Sequence, residues 1–230
     1  MPRFCPTVRG LAAVAALLVS AAAASAGPIV QYDLFGVAGD SPSAPATFVA
    51  PDVTALDITR GPGLTPNAAS NSINSRGWDD LSPDDYVQLG FTTAVPFDVD
   101  RLILATRSSG TGPGFIDVDV SVDGGAFTTV TTLTQPDATF VNSIIDLDLT
   151  VTSSLVVRFF AANGTAANGG AIGAAGTFRV GNYFDGTNFF PIELSGSPVV
   201  AAVPEPAGLT LAGVGLAAAV GVRRARRRVG

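Results

Sequence analysis

Phe115-Ile116-Asp117-Val118-Asp119-Val120-Ser121-Val122 alternates with a period of two: Ile116, Val118, Val120 and Val122 fall on one side, Asp117, Asp119 and Ser121 on the other. Residues i and i+2 of a strand share a face. The segment is therefore apolar on one surface and acidic on the other, as in a half-buried antiparallel sheet. Asp123-Gly124-Gly125 follows directly, a strong hairpin turn signal, and Ala126 to Leu133 returns as a Thr- and Val-rich strand. Ile144 to Val151 repeats the alternation, with Ile145, Leu147, Leu149 and Val151 opposite Asp146 and Asp148. Further strands are predicted near 29–35, 55–59, 86–92, 101–106, 155–160, 177–182 and 190–194. No helical stripe runs through any window of ten residues between the two ends. Short strands punctuated by Gly, Pro, Asn and Asp predict an all-β, two-sheet β-sandwich of jelly-roll type. Gly61 to Ser75 and Ala161 to Gly176 are long, small-residue loops, predicted to be mobile or ligand-facing.

Charge is distributed unevenly. The 230 residues carry a net −6, with no histidine and no lysine. Between residues 27 and 202 only Arg60, Arg76, Arg101, Arg107, Arg158 and Arg179 oppose seventeen aspartates and Glu193, a net −12. Such a surface repels nucleic acid and attracts cations. Cys5 is the single cysteine, so the body has no disulfide and no thiol chemistry. Without histidine, Ser-His-Asp and Cys-His arrangements and His-ligated zinc are excluded, and without lysine no Schiff base forms. Gly110-Thr111-Gly112-Pro113-Gly114 is glycine-rich but falls between strands, as a turn.

The two ends read as addresses. Arg3 and Arg9 precede an apolar run from Leu11 to Ala24, and Ala24-Ser25-Ala26 offers small residues to signal peptidase with Gly27 as the new N-terminus. This predicts a signal peptide over 1–26 and export by the Sec machinery. At the other end Pro204-Glu205-Pro206 is followed by an uncharged stretch, Ala207 to Val222, and then by Arg223, Arg224, Arg226, Arg227 and Arg228. As a helix the stretch spans roughly 24 Å, short of the ~30 Å hydrocarbon core, which makes it a marginal transmembrane anchor. The arginine cluster stays cytoplasmic and leaves the body outside. The predicted organisation is a β-sandwich over 27–195, a linker over 196–202 and a tail over 203–230.

The order Pro-Glu-Pro, short hydrophobic helix, terminal arginine cluster resembles the PEP-CTERM sorting signal. The resemblance implies that Pro204, Glu205 and Pro206 are recognised by an exosortase, a membrane-embedded peptidase that processes the tail. A plain tail anchor, retaining its arginines, is the alternative. The body, through Arg60-Gly61-Pro62-Gly63-Leu64, Gly77-Trp78, Arg107 to Pro113 and Phe178-Arg179-Val180-Gly181-Asn182, resembles a domain recurrent among such secreted proteins. That implies a jelly-roll-like fold and a surface role without a defined activity.

Two constellations in the body point to chemistry. Asp98/Asp100, Asp117/Asp119 and Asp146/Asp148 are Asp-x-Asp pairs that share a strand face. If two of these strands are neighbours, like charges face each other, and Ca²⁺ could relieve them with its six to eight oxygen ligands; the alternative is a solvated acidic face that deters edge pairing. The i, i+2 spacing of ~6.7 Å also matches a glycosidase pair, but solvated carboxylates lack the raised pKa a catalytic acid needs. Trp78, the only tryptophan, lies among Asp79, Asp80 and Asp84. It is either a core-edge residue or a sugar-facing platform. The sequence thus predicts a non-catalytic exported protein with a structural or adhesive role in the envelope or exopolysaccharide. The alternative is a carbohydrate-binding module using Trp78 and the long loops.

Overall fold

The computed structural model describes residues 26–199. Ala24, Pro204, Glu205, Pro206 and the terminal arginines lie outside the described residues. Sixteen strands and no helix make up the described part. In chain order they are β1 (Gly27–Tyr32), β2 (Ser43–Ala44), β3 (Phe48–Val49), β4 (Val53–Arg60), β5 (Thr65–Pro66), β6 (Ser72–Arg76), β7 (Tyr86–Thr93) and β8 (Phe97–Ser108). They continue with β9 (Phe115–Val122), β10 (Thr128–Thr134), β11 (Val141–Val151), β12 (Ser154–Ala161), β13 (Thr177–Gly181), β14 (Tyr183–Phe184), β15 (Phe189–Phe190) and β16 (Ile192–Pro198).

Two antiparallel sheets form the sandwich. The smaller has the order β10-β9-β12-β7-β4-β2. The larger is organised around β8, whose one edge pairs with β11 along most of its length. Its other edge is shared in series by β16, over 97–103, and β13, over 105–108. From these two partners the sheet extends through β1 and β3 on one side and through β6 and β5 on the other.

The alternation read from the sequence sets the facing of each strand. Ile116, Val118 and Val120 of β9, Leu155, Val157 and Phe159 of β12, and Val87, Leu89 and Phe91 of β7 meet Leu102, Leu104, Phe178, Val180, Ile192 and Leu194 of the larger sheet in one core. Each such side chain contributes about 1.5–3 kcal/mol by leaving water. Val122 to Gly125 forms the expected tight turn. Asp123 and Gly124 both have positive φ (54° and 74°), and the Gly125 N–H donates to the Val122 carbonyl at 2.9 Å. The Asp123 carboxylate also accepts from the Thr152 hydroxyl and from the backbone N–H groups of Ser154, Ser153 and Thr152, tying this hairpin to the next and holding its carboxyl well below the usual range.

Three features depart from expectation. The stretch 61–75 is not a free loop: it contains β5 and most of β6, and Arg60 fixes it by donating to the carbonyls of Gly39, Ser41 and Asn74. The last strand runs to Pro198, three residues into the predicted linker, because Gly196, Ser197 and Pro198 continue the pairing with β8. Where one strand was expected over 190–194, Phe190 instead closes a separate small hairpin, β14–β15, and β16 begins at Ile192.

Candidate functional site

The outer face of the larger sheet carries the site. With Leu102, Leu104 and Thr106 of β8 turned inward, Ala105 and Arg107 face out; with Phe178 and Val180 of β13 inward, Arg179 and Gly181 face out. The register places Gly181 opposite Ala105 and Arg179 opposite Arg107. On the far edge of β8, Asn142 of β11 stands opposite Ala105. Ala105 and Gly181 thus form a low floor within a face of larger residues. A Cβ on Gly181 would lie 3.3 Å from the Asn71 carbonyl oxygen and 3.6 Å from the Phe140 ring.

Phenylalanines wall this floor. Phe140 precedes β11. Phe35 projects from the turn Leu34-Phe35-Gly36-Val37, closed by the Val37 N–H on the Leu34 carbonyl at 3.0 Å. Gly36 has φ 81°, the left-handed conformation that glycine adopts without steric cost. Phe184 and Phe189 come from the β14–β15 hairpin, their rings stacked with centroids 4.6 Å apart. The pocket enclosed is about 360 Å³ and is lined also by Asn71, Asn142, Asn182 and Arg179. Its aromatic walls are open to solvent, with Phe35 73 % and Phe189 65 % exposed.

The hairpin is positioned by the series pairing along β8. Gly181 ends one partner of that edge and Ile192 begins the next, so the chain between them is released from the sheet and lies over its outer face. The Asn142 side chain then acts as a strand mimic: its amide donates to the Phe184 carbonyl and its Oδ1 accepts from the Phe184 N–H at 3.1 Å. At the tip, the Asp185 carboxylate accepts from the N–H groups of Thr187 and Asn188, both at 2.8 Å, which holds its carboxyl below the usual range. Across the pocket, Asn71 accepts from the Gly36 N–H, while Asn182 accepts from the Leu34 N–H and donates to Asp33. The three asparagines brace the walls.

The guanidinium of Arg179 lies over the Phe140 ring at 4.7 Å, and that of Arg107 lies 5.6 Å from the same ring. Arg107 is anchored through its Nε on the Ala138 carbonyl at 2.8 Å. Arg179 makes no hydrogen bond with its guanidinium among the described residues, and burial, then the charge of Arg107, lowers its proton affinity. The arrangement offers apolar faces for a flat, partly apolar molecule and a cation at one side of it.

No family model and no curated protein matches the chain. Solved structures do. The chain is similar to a mutant of a carbohydrate-binding module of family 29, with 13 % identity, a TM-score of 0.42, and coverage of 75 % of this chain and 92 % of that one. It is also similar to a second family 29 mutant complexed with mannohexaose, at 12 % identity and TM-score 0.41, covering 75 % of this chain and 92 % of that chain. A further family 29 module shows 12 % identity and TM-score 0.40, with 80 % and 98 % covered.

The residues singled out from sequence are placed differently. Trp78 is 0 % exposed, donates its indole N–H to the Ser75 carbonyl at 3.0 Å, and meets Phe178 edge to face at 5.4 Å. It is a core residue with no face for a ligand, its indole packed against Phe178 of β13.

The aspartate pairs do not converge, which corrects the expectation of a shared Ca²⁺ site. Asp117 and Asp119 are in the smaller sheet, Asp119 directly opposite Arg158 and Asp117 bonded by Thr132. The other four aspartates are on the neighbouring strands β8 and β11, but the register sets Asp146 opposite Arg101 and Asp98 opposite Thr150, which donates to it at 2.7 Å. Asp148 falls in the irregularity between Asp146 and Leu149. Asp100 does not project together with Asp98 as its i, i+2 spacing predicted. Asp98 and Arg101 are exposed, whereas Asp100 between them is half-buried. The pairing of β8 passes from Arg101 to Val99 on both edges, so Asp100 stands opposite no residue of β11 or β16. An irregularity of this kind breaks the alternation of facing along a strand. No group of three or more metal-ligating side chains forms among the described residues, Asp100 included.

Sequence reasoning missed Phe35, Phe140, Phe184 and Phe189. One signal was present: aromatic pairs flank Asp185-Gly186 in Tyr183-Phe184-Asp185-Gly186-Thr187-Asn188-Phe189-Phe190, a hairpin composition with exposed rings on both arms.

Proposed function

We propose that this is a non-catalytic, extracytoplasmic glycan-binding protein whose site is the phenylalanine-walled pocket over Ala105 and Gly181. The observation that carries this is the exposure of four phenylalanine side chains around a small-residue floor, held by asparagine-braced loops and not by chance solvent exposure. Large apolar side chains left in water at one concave place mark a binding site. The C–H faces of a sugar ring suit flat aromatic walls, and its hydroxyls suit the polar rim. The mutual pairing of β1 with β16 and the repeated crossings between sheets support a jelly-roll-like assignment for the sandwich.

We place the domain outside the cytoplasm. Support comes from the signal-like N-terminus ending at Ala24-Ser25-Ala26, the PEP-CTERM-like tail at Pro204-Glu205-Pro206 and the terminal arginines. In this proposal Sec, signal peptidase and an exosortase-like peptidase handle the ends, and an exopolysaccharide is the partner of the body. Two measurements test it. Binding of the full chain to a panel of immobilised oligosaccharides is expected to fall roughly ten-fold in Phe189→Ala and in Phe35→Ala, the size of one aromatic contact. An absence of binding across the panel rejects the assignment. Intact mass of the protein from its native host is expected to begin at Gly27 and to lack the arginine cluster; a retained cluster rejects sorting by tail removal.

A further inference from the structure

Arg179 and Arg107 are direct cross-strand partners on β13 and β8. Like charges at this spacing destabilise a sheet. The domain has eighteen carboxylates for six arginines between residues 27 and 202, so a compensating partner was abundant, yet neither guanidinium bonds a carboxylate in the described structure. Arg158, on the other sheet, stands directly opposite Asp119. The uncompensated pair sits at the concave aromatic place on this face, and Arg179 lines the pocket itself. Asn142 and Asn182 already use both ends of their amides to hold the loops, and Asn71 uses its carbonyl oxygen, which leaves Arg179 as the charged donor lining the pocket.

We propose that the pocket takes an acidic sugar residue, a hexuronate within an anionic glycan, with its carboxylate on Arg179 and its ring against the phenylalanine walls. This rests on the glycan-binding assignment above and narrows it. A guanidinium presents a planar fork of donors that matches a carboxylate in two parallel hydrogen bonds. Arg107, anchored one strand away, adds positive charge without entering the pocket. The remainder of the body, at net −14 without these two arginines, repels a polyanion at long range, so attraction centres on this place. An acidic protein that holds a polyanion through one local cation pair gives a sharp experimental contrast.

Binding of the purified full chain to oligogalacturonate and oligoalginate is compared with binding to their methyl esters and to neutral dextran, by calorimetry. The acid form of at least one pair is expected to bind ten-fold or more tightly than its ester. Arg179→Gln brings the acid to the level of the ester, and Arg107→Gln weakens it by a smaller factor. Both variants are expected to keep or raise the unfolding temperature, since each relieves a like-charge contact, while Phe189→Ala weakens acid and ester alike. Equal or tighter binding of every ester overturns the acidic-sugar proposal and leaves the glycan-binding assignment standing. Acid-selective binding that survives both arginine substitutions also overturns it, since the site is then elsewhere. Failure of the acids, esters, dextran and the wider oligosaccharide panel together removes the assignment itself.

Discussion

Arg158 and Arg179 occupy comparable positions on opposite outer faces of the sandwich, and they are treated differently. Arg158 lies between the rings of Tyr86, at 3.9 Å, and Phe127, at 4.3 Å, donates from Nε to Gln88 at 3.1 Å, and faces Asp119 across the strand. Its Nε donor is engaged and a carboxylate stands across the strand from it. Arg179 also lies over a ring, but its cross-strand neighbour is Arg107 and its side chain lines a pocket. A compensated cation on a sheet face contributes to the fold. A cation directly opposite a like charge costs stability, and in the acidic-sugar proposal the ligand carboxylate supplies the missing partner.

The contrast can be broken from below. Trp78 and Phe178 pack on the inner side of the strand that carries Arg179. Trp78→Ala is expected to lose about 3–5 kcal/mol of stability, read by urea denaturation. Trp78→Phe should retain glycan binding, and a binding defect in that folded variant would return Trp78 to the site. The arginine faces themselves are separated by paired substitutions. Arg179→Gln is expected to reduce binding ten-fold with stability kept or raised. Arg158→Gln should leave binding intact and cost about 0.5–1 kcal/mol, the range of a cross-strand charge pair. Asn142→Ala removes the strand mimic that holds Phe184, with an expected loss of about 1 kcal/mol and faster amide exchange confined to 183–190.

A pH-dependent effect concerns the residue just before Tyr86, whose ring Arg158 covers. Asp85 is buried, one of its oxygens has no partner, and burial together with the neighbouring Asp80 carboxyl pushes its pKa up to about 7. The folded protein therefore holds this proton more tightly than the unfolded chain, whose aspartates titrate near pH 3.9. Stability is expected to fall as pH rises from about 4 to about 7 on this account. Asp85→Asn should flatten that part of the profile of unfolding temperature against pH; an unchanged slope would show that the proton resides elsewhere.

Much of the sandwich was legible because its cause is local. The alternation in β9 and β11 and the Asp123-Gly124 turn follow from side-chain direction along a strand and from φ preferences of single residues. Strand β6 was hidden inside an apparent loop, because Ser72, Asn74 and Ser75 are polar yet buried, and no apolar alternation marks them. Trp78 drew attention through its acidic neighbours, but sequence adjacency to aspartates does not set burial. Its indole is covered by Phe178, one hundred residues later in the chain. Asp100 misled for a related reason: its spacing from Asp98 implies a common face only while the ladder is regular, and both edges of β8 are irregular at that residue.

The sequence by itself determined that the body is all-β, acidic and without cysteine, histidine or lysine, since composition and period are properties of the chain alone. Only the tertiary structure decided that Phe35, Phe140, Phe184 and Phe189 meet over Ala105 and Gly181, and that Arg179 faces Arg107. The site arises because two strands share one edge of β8 in series and release the hairpin between them. Such pairing joins segments distant in sequence, and register between them is fixed by the packing of whole sheets, which no local pattern encodes.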